Sequence, residues 1–357
     1  MLRLLTAGES HCESLSGILE NFPRGVSIDK DKIDAQLARR QSGYGRGGRM
    51  AIEKDKAHFI SGLRAGKTLG SPIAFLIKNK DKTIDCFDKD VLPELNVPRP
   101  SHADLAGALK YADQDIRNML ERASARNTAQ YVAAGSLCAQ LLENFGYKVS
   151  SRIVELGSVK AQDKDFDAKM KKEIDKAAKA GDTLGGIVEI VAEGVVPGLG
   201  SFMSWDRRLD SRLAGIMMGI QAIKGVEIGL GFDYARKSGR QAHDVIRYSQ
   251  SKGYYHTTNN SGGIEGGIST GEPVVIRIAM KPIATLMDGL PSVDLRTRRT
   301  AKAPAVRSDV TAVTACGVIA EAMASYVIAD AFLEKFSADT LVDIKKNYSA
   351  YMKRISK

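Results

Sequence analysis

Residues Val310 to Phe336 constrain this chain more than any other stretch. The segment is long, rich in alanine and apolar around much of its circumference. As a helix it has little face to offer water, so it is expected at the centre of the fold. With 357 residues the chain buries most of its apolar surface and needs no disulfide or metal staple. Hydrophobic residues at 43% and charged residues at 26% exclude a disordered or fibrous chain. The length allows two domains or one large one.

The remaining pattern mixes both kinds of element. Ser27–Arg40 reads as a helix, with Ile33 and Leu37 one turn apart. A buried helix is expected from near Ser124 to Gly146, carrying Val132, Leu137, Leu141, Leu142 and Phe145. Asp163–Lys179 reads as a charged surface helix, and Trp205–Lys224 as one that buries Leu209, Leu213, Ile216, Met217 and Ile220. Strands are expected at Ala57–Leu63, Ile73–Ile77, Gly186–Val191 and Val274–Met280. Strands and helices come in mixed groups without strict alternation, which favours α+β over a doubly wound parallel sheet.

Several function classes drop out. Cys12, Cys86, Cys138 and Cys316 are scattered and form no CxxC pair, so zinc fingers and redox dithiols are not indicated. No His, Cys or carboxylate spacing resembles a metal site. Reduced thiols, an early Glu9 and no apolar run of about 18 residues point to a cytoplasmic protein without a membrane span. The net charge of +10 is compatible with anionic partners or with solubility alone. Gly43-Tyr44-Gly45-Arg46-Gly47-Gly48 spells a dinucleotide fingerprint but follows a helix instead of a strand. Gly62-Leu63-Arg64-Ala65-Gly66-Lys67-Thr68 is one residue short of a P-loop and reads better as a turn with an exposed lysine.

Chemistry-bearing residues gather in three loops, Gly8–His11, Arg39–Arg49 and Thr257–Gly271. Of five histidines, His11 lies in Gly8-Glu9-Ser10-His11, and His102 in Arg99-Pro100-Ser101-His102-Ala103-Asp104 at the expected start of a helix. Histidine beside arginine suits proton delivery to an anionic leaving group. Arg39, Arg40, Arg46 and Arg49 cluster among glycines, and Arg122 and Arg126 flank Ser124. Such arginines make forked contacts to phosphate or carboxylate. Ser124 is either a phosphate site at a helix start or a plain N-cap. The glycine loop Asn259–Ser269 can lie flat against a planar ring or simply form a hairpin.

Seven ordered blocks resemble chorismate synthase: Gly8–His11, Arg39–Met50, Arg99–Asp104, Arg122–Arg126, Gly225–Gly229, Gly262–Gly267 and Arg307–Asp309. The resemblance implies one domain over 1–357, an α+β fold built as a β-α-β sandwich with helices between two antiparallel sheets, and a homotetramer. It implies anti 1,4-elimination of phosphate from 5-enolpyruvylshikimate 3-phosphate, giving chorismate in the seventh step of the shikimate pathway. It also implies reduced FMN as cofactor without net redox change, and NADPH as flavin reductant in bifunctional members.

Carried over residue by residue, the resemblance makes His11, His102 and Asp309 catalytic. Flavin contacts fall on Arg122, Ala123, Ser124, Gln221, Ala222, Gly266, Lys281, Pro282, Ile283, Ala284, Thr285 and Arg307, with Gln221 and Ala222 expected in the helix before Gly225. Arg40 and Arg46 fall on positions for NADPH or substrate, and Arg49, Arg126 and Ser10 on substrate phosphate or carboxylate. Two positions depart from the family pattern. Ser101 replaces a glycine, and Asn127 replaces a glutamate that would complete a capping box. The competing readings are an FMN-dependent oxidoreductase and a basic nucleic-acid binder. The Gly-His-Asp blocks have no use in the second, so neither nucleic acid nor membrane is an expected partner.

Overall fold

The computed structural model describes residues 1–47, 54–84, 93–251, 253–305 and 309–355. The apolar segment forms helix Val313–Lys335, and 19 of its 23 residues are buried. By length and composition it could cross a membrane, yet 94% of its most apolar window is packed inside the protein. Other elements cover it. Numbered along the chain, the helices that matter here are α1 (Lys30–Gln41), α2 (Asp104–Tyr111), α3 (Arg117–Ala123), α4 (Thr128–Glu143), α5 (Phe166–Lys179), α6 (Leu209–Met218), α7 (Val313–Lys335) and α8 (Leu341–Ile355).

Two larger antiparallel sheets accompany the helices. The first has the order β1-β2-β4-β3, with β1 at Arg3–Ala7, β2 at Ser14–Glu20, β3 at His58–Phe59 and β4 at Ile73–Lys78. The second has the order β8-β9-β7-β5-β6, with β5 at Lys148–Leu156, β6 at Val159–Lys160, β7 at Gly186–Glu193, β8 at Ile223–Ile228 and β9 at Val274–Met280. Register places Ile276 opposite Ile190 on one side and Ile228 on the other. Helix α4 packs on β2 of the first sheet, and α7 packs on β5 and β7 of the second. The chain is therefore α+β. Helices α4 and α7 cross closely at Gly135, where a Cβ would sit 2.3 Å from the Ala322 carbonyl oxygen. Phe332 anchors the far end of α7, with ring centroids 4.5 Å from Phe145 and 4.8 Å from Phe336. Burying a side chain of this size contributes about 1.5–3 kcal/mol.

Local chemistry explains where elements begin. Helix α1 starts at Lys30, not Ser27, because the Asp29 carboxylate accepts the Asp31 and Lys32 amides. Ser124 caps a short 3₁₀ turn, Ala125–Asn127, before α4 proper begins at Thr128. The expected helix Trp205–Lys224 is divided. A 3₁₀ turn holds Trp205–Arg207, α6 ends at Met218, and Ile223 already belongs to β8. Gln221 and Ala222 thus lie in a turn, not a helix, and Ala222 has φ +70°. The near-P-loop segment is a hairpin, Leu63-Arg64 against Lys67-Thr68, with Lys67 exposed. The glycine loop is a hairpin as well, Ile264-Glu265 against Ile268-Ser269.

Candidate active site

The loop between β1 and β2 brings His11 against α3. Glu121 of α3 is 3% exposed, and its carboxylate faces His11 twice. Oε2 accepts the His11 main-chain N–H at 3.0 Å, and Nδ1 of the ring stands 2.9 Å from both Oε1 and Oε2. Nε2 lies 3.6 Å from the Asp81 carboxylate. The neighbouring Ser10 is buried, and its amide donates to the Glu121 carbonyl at 3.3 Å. Ser124 donates to the Ser10 hydroxyl at 3.3 Å. Arg122 ties this corner together by donating to the carbonyls of Thr6 and Gly8, each at 2.9 Å.

Behind that corner lies a buried ion triad. Asp55 accepts Arg40 at 2.6 Å and Arg126 at 2.6 and 2.7 Å, and no member is more than 5% exposed. Arg126 also donates to Asn79 at 2.9 Å, and Asn79 in turn donates to the Cys12 carbonyl at 2.7 Å. Burial drives the Asp55 carboxyl up, but the two guanidiniums outweigh it and hold it below its ordinary value. Two guanidiniums converge on this one carboxylate behind the His11 loop. Each guanidinium thus already spends part of its fork on Asp55.

His102 starts a second cluster. Its Nδ1 is hydrogen-bonded to Asp104, the first residue of α2 and fully buried. Asp104 also accepts Arg99 Nε at 2.8 Å, and an Arg99 Nη lies 3.1 Å from His102 Nδ1. Burial pushes the Asp104 carboxyl up, yet hydrogen bonds from His102 and Arg99 hold it well below the usual carboxylate range. The Lys281 ammonium donates to the Ser101 carbonyl, and the Lys281 amide donates to Ala222 O at 3.0 Å. Burial, reinforced by the nearby Lys224 charge, lowers the pKa of Lys281. The His102 loop, the Gln221-Ala222 turn and the start of the Lys281–Thr285 segment are thereby stitched into one wall. Gln221 Oε1 is buried there without a hydrogen-bond partner.

Asp309 forms a third cluster with the Gly43–Gly47 loop. It accepts the Gly47 amide at 2.5 Å and pairs with Arg46 at 2.9 Å. Burial lowers the Arg46 pKa, and Asp309 opposes that shift. The following residue, Val310, donates to Gly45 O and accepts from the Leu184 amide, both at 2.8 Å. Thr183 donates to Ile283 O at 2.8 Å. These bonds connect the Asp309 loop to the Lys281–Thr285 segment, so Pro282, Ile283, Ala284 and Thr285 run between the second and third clusters.

Not every expected residue joins this assembly. Arg49 and Arg307 lie outside the described residues. Gly266 sits at the tip of its hairpin and lines a cavity of about 450 Å³ with Asp210, Tyr234, His243, Asp244 and Glu265. None of the other residues expected to touch flavin lines that cavity. Ala123 closes α3 directly before Ser124. Among the described residues no group of three or more His, Cys, Asp or Glu side chains is placed to hold a metal ion.

Comparison with known proteins gives this geometry a context. A sequence profile of the chorismate synthase family matches residues 2–333. The chain belongs to the chorismate synthase family. It is 53% identical over 351 residues to the chorismate synthase of Thermoanaerobacter pseudethanolicus, covering 98% of each chain. It is 46% identical to that of Aquifex aeolicus, covering 99% of this chain and 98% of the relative. A solved structure described as the crystal structure of chorismate synthase superposes with TM-score 0.81 at 40% identity, covering 99% and 98% of the two chains.

The two departures from the family pattern have visible local consequences. Asn127 uses its amide to donate to the carbonyls of Arg122 at 2.7 Å and Ser124 at 3.1 Å, and its oxygen accepts from Arg122 at 3.1 Å. It closes the end of α3 instead of forming a capping box. Ser101 takes φ +63°, a conformation that glycine adopts without strain. Sequence reasoning assigned no role to Glu121, Asp104, Asp55 or Asn79. Asp104 closes the Arg99–Asp104 segment two residues after His102, and Glu121 directly precedes Arg122–Arg126. Asp55 had no local signal, since its partners lie 15 and 71 positions away.

Proposed function

We propose that this chain is a chorismate synthase, a carbon–oxygen lyase that eliminates phosphate from 5-enolpyruvylshikimate 3-phosphate to give chorismate without net redox change. The reading is carried by one observation. A family match over nearly the whole chain coincides with two histidines that are each backed by a buried carboxylate, beside an arginine-rich interior. The unpartnered Gln221 oxygen and the Lys281 wall are compatible with a flavin. Reduced FMN would be held by Ser124, Gln221, Ala222 and the Lys281–Thr285 segment, and it supplies electron density to the departing allylic system.

The protein's own part is placement and charge. Arg40 and Arg126, which share Asp55, offset repulsion between two anionic ligands. His11 and His102 move protons, one of them towards the departing phosphate. Asp309, held by Arg46 and the Gly47 amide, serves as a fixed carboxylate for proton removal. Arg46 would meet an anionic ligand while still paired with Asp309 through Nη1. Gly266, on its separate hairpin, belongs to the flavin site in this reading through the family pattern alone. The reading further includes the layered sandwich with helices between the sheets, a homotetramer, a cytoplasmic location and NADPH as a flavin reductant.

An anaerobic assay with photoreduced FMN tests the proposal. Chorismate and phosphate are expected in equal amounts with no reductant consumed. Stoichiometric oxidation of NADPH with a second acceptor would instead favour the FMN-dependent oxidoreductase. Repeating the assay with oxidised FMN plus NADPH shows whether the chain reduces its own flavin.

A further inference from the structure

We infer that Glu121 is a positioning residue that fixes His11 as its Nδ1–H tautomer and assigns proton exchange to Nε2. The inference deepens the proposed function and rests on it for the role of His11. Its structural basis is independent of any ligand. A carboxylate accepts and never donates. Glu121 Oε2 already takes the His11 main-chain N–H at 3.0 Å, and Nδ1 stands 2.9 Å from both oxygens. Only a proton on Nδ1 makes this contact favourable, because two acceptors at that distance repel. Nε2 is then the nitrogen that gains and loses a proton, and it stands on the side of Asp81, which is partly exposed.

Burial makes the arrangement selective. Glu121 is 3% exposed, so its charge is weakly screened and its geometry is fixed by α3. Helix α3 is anchored on α2, with Met119 packed where a side chain on Gly107 would otherwise stand. The Ser10 amide also reaches the Glu121 carbonyl, so main chain and side chain of one residue hold the Ser10-His11 pair. A residue needed only for packing would not require an acceptor pair aimed at both donors of one histidine.

An amide in place of the carboxylate breaks the pattern. In Glu121→Gln one terminal atom becomes an NH2 donor. Its oxygen is best placed on the His11 main-chain N–H, which turns the NH2 towards Nδ1 and drives the ring to the Nε2–H tautomer. Glu121→Asp keeps an acceptor pair on a shorter stem.

The test uses the full chain labelled with ¹⁵N-histidine. With five histidines in the sequence, His11 is identified by its missing signal in His11→Gln. Long-range ¹H–¹⁵N spectra of the neutral rings at alkaline pH are expected to show Nδ1–H for His11 in wild type and in E121D, and Nε2–H in E121Q. Turnover with photoreduced FMN and 5-enolpyruvylshikimate 3-phosphate is expected to fall about 10²–10⁴-fold in E121Q, with KM changed little. E121D is expected to recover at least about tenfold over E121Q, within that same range for a proton-transfer group. An Nε2–H pattern in the wild-type protein overturns the inference even if no variant folds. So does wild-type turnover in E121Q, or a loss confined to KM. If the wild-type protein makes no chorismate, the proposed function fails, and the tautomer spectra still decide the role of Glu121.

Discussion

The interior around α7 and the α2–α3 pair that backs both histidines are held together by different forces. The first is a continuous apolar core in which Leu137, Leu141, Ile328 and Phe332 are fully buried or nearly so. Among the described residues, the second has an apolar cluster of three buried residues, Ala108, Ile116 and Met119. Polar clasps do the rest, with Arg99, His102 and Asp104 at one end and His11, Glu121, Arg122 and Asn127 at the other. Apolar burial is non-directional and tolerates small displacements, whereas hydrogen bonds fix angles. The chain uses the first to be stable and the second to aim its histidines.

The largest effects should separate the two regions. His11→Ala, His102→Ala and Asp309→Ala are each expected to lower turnover of the folded protein about 10²–10⁴-fold, on top of a stability loss of about 1–3 kcal/mol from the buried partner each one strands. Leu137→Ala should instead cost about 2–5 kcal/mol of stability with turnover of the folded protein nearly unchanged. Steady-state kinetics beside thermal melts would check both. Wild-type rates in all three site variants would refute the assignment of the site.

Asp55 stands between the regimes, being buried like the core yet polar like the site. Removing it in Asp55→Ala leaves two guanidiniums face to face in the interior. A loss of about 3–5 kcal/mol is expected, the usual result of breaking a buried pair from one side. Chemical denaturation measures it. A loss below about 1 kcal/mol would mean that water or counterions reach the triad, as at an exposed pair.

Acid should loosen the α2–α3 region in a way the apolar core does not share. Asp104 has a depressed folded-state pKa. Its stabilising contribution is therefore complete above the unfolded value of about 3.9 and is lost as pH falls through the folded value. The wild-type advantage over Asp104→Asn is expected to be flat from neutral pH to about pH 5, then to shrink below about pH 4. Denaturation series across that range would show it. An advantage that persists undiminished at the acid limit of folding would count against the ionised clasp.

These differences also explain what the sequence reveals. Helix α7 and strand β9 are legible because their apolar periodicity is local, and β9 alternates buried and half-buried residues without a break. Strand β2 hides because its alternation runs through Gly17, which faces inward with no side chain. A Cβ there would lie 2.3 Å from the Phe75 ring. The His11 and His102 loops can be found by resemblance, since their blocks are contiguous. Glu121 and Asp55 escape because their roles depend on contacts across 110 and 71 positions. Helix packing creates those contacts, and no local spacing encodes them.

The smallest expected effect bears most directly on how the polar clasp is built. Ser101 occupies left-handed backbone at φ +63° directly before His102, and its side chain is exposed. Holding a residue with a Cβ there costs roughly 1–2 kcal/mol. Glycine removes that strain but gives the unfolded chain more freedom, which returns about 0.4–1 kcal/mol. Strain is the larger of the two, so Ser101→Gly should stabilise the protein by a net amount of about 0–1.6 kcal/mol. Turnover should stay unchanged, because the clasp uses the Ser101 carbonyl and that group survives the substitution. A lower melting temperature would show that the conformation is relaxed in place. A lower turnover at equal stability would show that the strain helps to aim His102, making the backbone itself part of the clasp.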